Sequence, residues 1–76
     1  MTLDQSLRDE LERLLSESLA TVSEKLSKQD QRDVSEYLDH GEYGVAYELL
    51  AFALDKLELQ RPASLVEAGK KMGMVN

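Results

Sequence analysis

His40 stands between Asp39 and Glu42, and these three side chains are the first place to look for chemistry in this chain. Such a trio offers a general base or a single-metal site. A bound metal normally draws three or four ligands at defined spacings. The chain has no Cys, no His-x-x-x-His and no Glu-x-x-His, so no metal or other cofactor is implied. A lone His followed by Gly fits a helix end instead, where the ring favours the dipole or hydrogen-bonds one of the last carbonyls. Gly41-Glu42-Tyr43-Gly44 is no phosphate loop, because it puts a carboxylate where phosphate needs bare amides. Serines 6, 16, 18, 23, 27, 35 and 64 have no base at a readable spacing. The residues give no catalytic signal, and a core of this size can hardly spare a pocket.

A second kind of chemistry is recognition. From Asp33 to Asp55 the chain carries six acids (Asp33, Glu36, Asp39, Glu42, Glu48, Asp55) and no Lys or Arg. Residues 1–32 hold seven acids against five bases and residues 56–76 hold four bases against two acids, so the net charge of −6 lies in this tract. The tract also holds all four aromatics, Tyr37, Tyr43, Tyr47 and Phe52. Tyr anchors interfaces and charge of one sign steers an encounter, so the combination points to a surface for a basic partner. The alternative is a core Phe, a Tyr or two at the core edge, and acids that keep a small protein soluble.

The elements that position these residues follow from spacing. Leu3, Leu7, Leu11, Leu14, Leu15, Leu19, Val22 and Leu26 fall on one wide stripe of a first helix, opened by a Thr2–Gln5 capping box. Its outer face mixes Arg8, Asp9, Glu12, Arg13 and Glu17, with Asp9–Arg13 as an i,i+4 pair. Ser27 and Asp30 cap a second helix over about 28–39 with a thin buried side of Val34, Tyr37 and Leu38. Gly41 then takes the positive φ of a helix stop. Asp39 in the last turn faces the negative end of the dipole, at a cost of about 0.3–1 kcal/mol. The third helix, about 42–57, is apolar round most of its circumference, with only Glu48 and Asp55 as a polar strip, and is expected to be central. Pro62 starts a fourth helix whose inner face is Leu65, Ala68, Gly69 and Met72 and whose stop is Gly73. Gly69 implies close approach to another backbone. Leu7, Leu11, Leu14, Leu38, Leu49, Leu50, Leu54 and Met72 are the expected core. No segment alternates with period two. The fold class is all-α, a compact four-helix domain with a mostly apolar central third helix.

With 76 residues, 42% apolar and 32% charged, one folded domain over 1–76 is expected. Met1-Thr2-Leu3-Asp4 lacks the basic and apolar regions of a secretory signal and no apolar run approaches a membrane span, which predicts a cytoplasmic protein. The negative charge opposes binding to nucleic acid or anionic lipid. Lys70 and Lys71 near a helix end favour its dipole and read as structural.

His40-Gly41-Glu42-Tyr43-Gly44-Val45-Ala46-Tyr47-Glu48-Leu49-Leu50 resembles the MafI family of small bacterial immunity proteins. Members share a Gly-Glu-aromatic-Gly-x-Ala-x-Glu-x-Leu signature after a short helix. Ala68-Gly69-Lys70-Lys71-Met72-Gly73-Met74 is similar to that family's final helix, with its Gly-Lys-x-Met-Gly ending. The resemblance covers roughly residues 30–74; the first helix matches in length and amphipathic character. It implies a protein, monomeric or weakly dimeric when free, that neutralises the C-terminal toxin domain of a polymorphic or contact-dependent inhibition toxin made by the same cell. The toxin's activity is not implied. A nuclease with a basic substrate groove suits the acidic tract, since Asp33, Glu36, Asp39, Glu42 and Glu48 would occupy it as a phosphate backbone would, with Tyr37, Tyr43 or Tyr47 as the packed anchor. Asp39 and Glu42 at the joint are the leading contacts, followed by Tyr43 and His40, while Tyr47 lies on the inward arc. The competing expectation is a small helical adaptor or regulator that self-associates or docks a helix through its apolar third helix.

Overall fold

The computed structural model describes residues 5–74 and contains helices α1 (Gln5–Val22), α2 (Lys28–Asp39), α3 (Tyr43–Lys56) and α4 (Ala63–Lys71). Its radius of gyration, 11.5 Å, is close to the ~11.4 Å expected of a compact chain of this length. The domain is all-α. Thr2 and Leu3, assigned to the first helix start, lie outside the described residues.

Each helix begins and ends for a local reason. α1 gives way to a 3-10 turn at Ser23–Lys25, and Gln31 Nε2 clamps that turn by donating to the carbonyls of Ser23 (2.8 Å) and Leu26 (3.1 Å). Ser27 caps α2 as its spacing predicted: the Ser27 hydroxyl oxygen accepts from the Asp30 N–H at 3.1 Å. At the other end of α2, the Gly41 N–H reaches Leu38 O (3.0 Å) and the Glu42 N–H reaches Tyr37 O (2.9 Å). This is the paired-bond stop that places the residue after the cap in the left-handed region, and Gly41 is there at φ 72°. α4 ends the same way at Gly73. So does α3, through Glu58 N–H to Asp55 O (3.0 Å) and Leu59 N–H to Leu54 O (2.9 Å). There the left-handed residue is Glu58, at φ 58°, a stop that no glycine advertised.

The main layers are α2 on α3 and α1 on α4, and α1 and α3 each touch the other three helices. Leu11, Leu15, Leu50, Leu54 and Leu65 are fully enclosed, and Leu14 and Leu38 are buried beside them. Leu7, Leu49 and Met72, expected in the core, are half-buried at its edge. α3 contributes seven buried residues, the most of any helix, yet it is not enclosed on all sides: Phe52 is 64% exposed and Val45 41%. The pattern counted both as inward because nearly the whole circumference is apolar, and its neighbours cover only part of it. Tyr37 likewise leaves the expected buried side of α2 and stands at the surface.

Two polar links join the layers. Ser18 is enclosed on the leucine stripe of α1 and lies 2.7 Å from both Leu14 O and the Ser64 hydroxyl of α4. A hydroxyl has one hydrogen. Ser18 donates it to the Leu14 carbonyl, so Ser64 is the donor to Ser18. Lys71 on α4 pairs with Glu10 on α1 at 3.2 Å. On the outer face of α1 the expected Asp9–Arg13 pair is replaced: Asp9 accepts from Gln5 Nε2 at 2.8 Å, and Arg13 meets Glu10 at 3.8 Å. Gly69 does allow a close approach, but to a side chain rather than a backbone. A Cβ there would lie 2.7 Å from the Tyr47 hydroxyl oxygen.

Candidate functional site

Two helical stripes face each other across an open groove of about 610 Å³ between α2 and α3. α2 supplies Asp33, Glu36, Tyr37 and His40, spaced i, i+3, i+4, i+7, and α3 supplies Val45, Glu48, Leu49 and Phe52 at the same spacing. That spacing puts each set on one face of its helix. Glu42, the N-cap residue of α3, completes the lining. Gly41 makes the arrangement possible, because its left-handed turn lets the chain leave α2 and start α3 with one residue between cap and cap.

The lining contains four carboxylates, Asp33, Glu36, Glu42 and Glu48, and no Lys or Arg. Asp33 accepts a hydrogen bond from Gln29 Nε2 at 2.8 Å. Among the described residues no cation pairs with Glu36, Glu42 or Glu48. Tyr37, Val45 and Phe52, three of the large apolar side chains left exposed, all line this groove. Lys56 stands at its edge with Nζ 5.6 Å from the centre of the Phe52 ring, a cation–π distance. His40 caps α2 and turns its ring back on the helix: Nδ1 lies 2.7 Å from Glu36 O, and since a carbonyl only accepts, Nδ1 carries the proton.

The acidic tract is thus divided by the fold. Asp33, Glu36, Tyr37, His40, Glu42 and Glu48, all singled out in the sequence, share the groove. Asp39 does not. It lines a separate depression with Glu12, Ser16, Leu19 and Leu38, between α1 and α2. Asp55 is neutralised by Arg61 at 2.9 Å. That bond raises the Arg61 guanidinium above its ordinary value. Tyr43 is buried, not a surface anchor, because the first turn of α3 points it at α1, where its hydroxyl donates to Glu12 Oε1 at 3.1 Å. Burial raises the Tyr43 phenol pKa above its ordinary value, and the bond to Glu12 adds to the rise. Tyr47 is buried as its arc predicted, and its hydroxyl accepts from Arg61 at 3.3 Å.

Sequence reasoning missed Val45, Leu49 and Phe52 as surface lining. One signal was available: they repeat at the same i, i+4, i+7 spacing as Asp33, Tyr37 and His40 one helix earlier. Among the described residues no group of three or more His, Asp or Glu side chains is placed to hold a metal ion, and no helix is long and apolar enough to cross a membrane. The chain matches no known family model, no curated protein and no solved structure.

Proposed function

We propose that this protein acts by binding rather than by chemistry, as a cytoplasmic immunity protein that captures and blocks the toxin domain of a polymorphic or contact-dependent inhibition system. The observation that carries the binding half of this reading is the α2–α3 groove, where Glu36, Glu42 and Glu48 stand without cations beside exposed Tyr37 and Phe52. Unpaired charge of one sign raises the rate of encounter with a basic partner, and an aromatic amid it supplies area to desolvate. The resemblance of residues 40–50 and 68–74 to the MafI signature supports the immunity half. A toxin domain with a basic surface, such as a nuclease, is the partner that this charge suits best.

The adaptor reading draws on the same exposed Val45 and Phe52. Self-association through this face is opposed by charge, because two copies would set Glu36, Glu42 and Glu48 against their own equivalents. Co-expression with a toxin domain encoded immediately upstream tests the proposal. Co-purification together with restored growth is expected. No complex and no rescue with any such domain overturns the immunity reading, and dimerisation of the protein alone through α3 promotes the adaptor.

A further inference from the structure

The geometry points to a specific occupant: the α2–α3 groove seats a basic amphipathic helix of its partner, with apolar side chains on the floor and Arg or Lys along both flanks. This inference rests on the groove being a partner surface, but not on the partner being a toxin.

The shape comes first. Each lining stripe advances seven residue steps along its helix axis, which is ~10 Å at the rise of an α-helix, or two turns. Two helices side by side form the natural bed for a third, whose ridges settle between them at an axis separation of about 8–10 Å. A concave bed of this kind receives a convex element. It does not itself enter a partner's cleft, so the phosphate-like insertion expected from the tract's charge gives way to capture of a protruding segment.

The chemistry then sets the occupant's pattern. Val45, Leu49 and Phe52, with Tyr37 opposite, form an apolar floor that needs apolar side chains at i, i+3 and i+4 to cover it. Asp33 and Glu36 run along the α2 wall, while Glu42 and Glu48 run along the α3 wall. An occupant between them meets carboxylates on both sides, so it carries cations on both flanks. The Phe52 ring already holds the Lys56 ammonium on one face, which shows that a cation suits this surface.

Other occupants fit less well. Nucleic acid and anionic membranes are repelled by the same carboxylates. A second copy has no suitable helix to offer: the outer face of α1 alternates Arg8, Asp9, Glu12, Arg13 and Glu17, and the apolar side of α4 is buried, with Lys71 paired to Glu10.

The test uses the whole chain, isotope-labelled for NMR, and three synthetic peptides of about 15 residues, long enough to form a helix when bound. The first has a leucine face flanked by arginines, the second replaces arginine with glutamate, and the third keeps the first composition with D-residues inserted to prevent a helix. The first alone should bind, with amide shifts centred on Glu36, Tyr37, Val45, Glu48 and Phe52. Phe52→Ala should weaken it about tenfold or more, the scale of losing a central anchor. Glu36→Gln with Glu48→Gln should weaken it and flatten the salt dependence, while Glu17→Gln on α1 should leave it unchanged. Absence of binding at about 1 mM, shifts centred elsewhere, or equal affinity for Phe52→Ala overturns the inference. Equal binding of the helix-blocked peptide overturns its helical part. A toxin domain that is captured and neutralised without perturbing the groove would sink this inference and spare the immunity reading. Peptide capture in the groove without any toxin partner would do the reverse.

Discussion

Leu50→Ala and Phe52→Ala lie two residues apart on α3, and the fold assigns them opposite consequences. Leu50 has no exposed surface and sits among Leu11, Leu15 and Leu54 in the core. Truncating an enclosed leucine removes its burial and leaves a cavity, for about 2–5 kcal/mol. Against a total of about 4–11 kcal/mol expected for 76 residues, that is a large share. Phe52 is 64% exposed, so only about a third of the roughly 1.5–3 kcal/mol for a fully buried side chain is at stake. Loss of the Lys56 contact adds about 0.5–1 kcal/mol, and the better helix propensity of Ala returns about 0.5 kcal/mol. The net cost is about 0.5–1.5 kcal/mol. Urea unfolding followed by far-ultraviolet circular dichroism measures both, and m-values matching the parent protein would show that the comparison is of stabilities alone. In melting temperature the leucine variant should fall by roughly 10–30 °C and the phenylalanine variant by no more than about 10 °C. Equal losses would mean that α3 buries the face carrying Phe52, and the groove would not exist.

Four further outcomes are expected. Gly41→Ala should cost on the order of 1 kcal/mol, because alanine is strained at φ 72°; its Cβ would also meet Arg8 Nη2 at 3.2 Å, a flexible end that can move. An unchanged denaturation midpoint would refute the left-handed stop. Glu58→Gly should stabilise by about 0.5–1 kcal/mol by relieving the left-handed strain at that position, and a lower midpoint would refute it. Tyr43 has a raised folded-state pKa, so its contribution is whole below the unfolded value of about 10 and is lost as pH rises through the folded one. Alkaline destabilisation should therefore be shallower in Tyr43→Phe than in the parent, and parallel pH profiles would count against the burial argument. Glu36→Lys with Glu48→Lys should leave the melting temperature nearly unchanged and slow association with the partner, with the residual rate less sensitive to salt; an unaltered association rate would move the interface off the groove.

The start of α2 and the two glycine stops were legible because their causes are local, whereas the first helix, expected to carry its stripe to Leu26, ends at Val22 in a 3-10 turn. Ser27 and Asp30 meet across one turn, and Gly41 and Gly73 take a backbone conformation that few other residues tolerate. The leucine repeat of α1 named its inward face without ambiguity, since the opposite face is charged. On α3 the same reasoning failed for Phe52 and Val45. Period alone says which residues share a face, and when nearly every face is apolar it does not say which one the neighbours will cover. Tyr47 already lay on the inward arc, but Tyr43 became interior and Tyr37 and Phe52 exterior only when α1, α2 and α4 closed on one side of α3. The acidic tract followed the same division: one run of sequence became an open groove, an Asp55–Arg61 pair and a separate Asp39. Composition and spacing sufficed for the four helices and their charge. Which carboxylates and aromatics face one another was decided by packing, because helices of fixed width cannot enclose all the apolar surface of α3 at once.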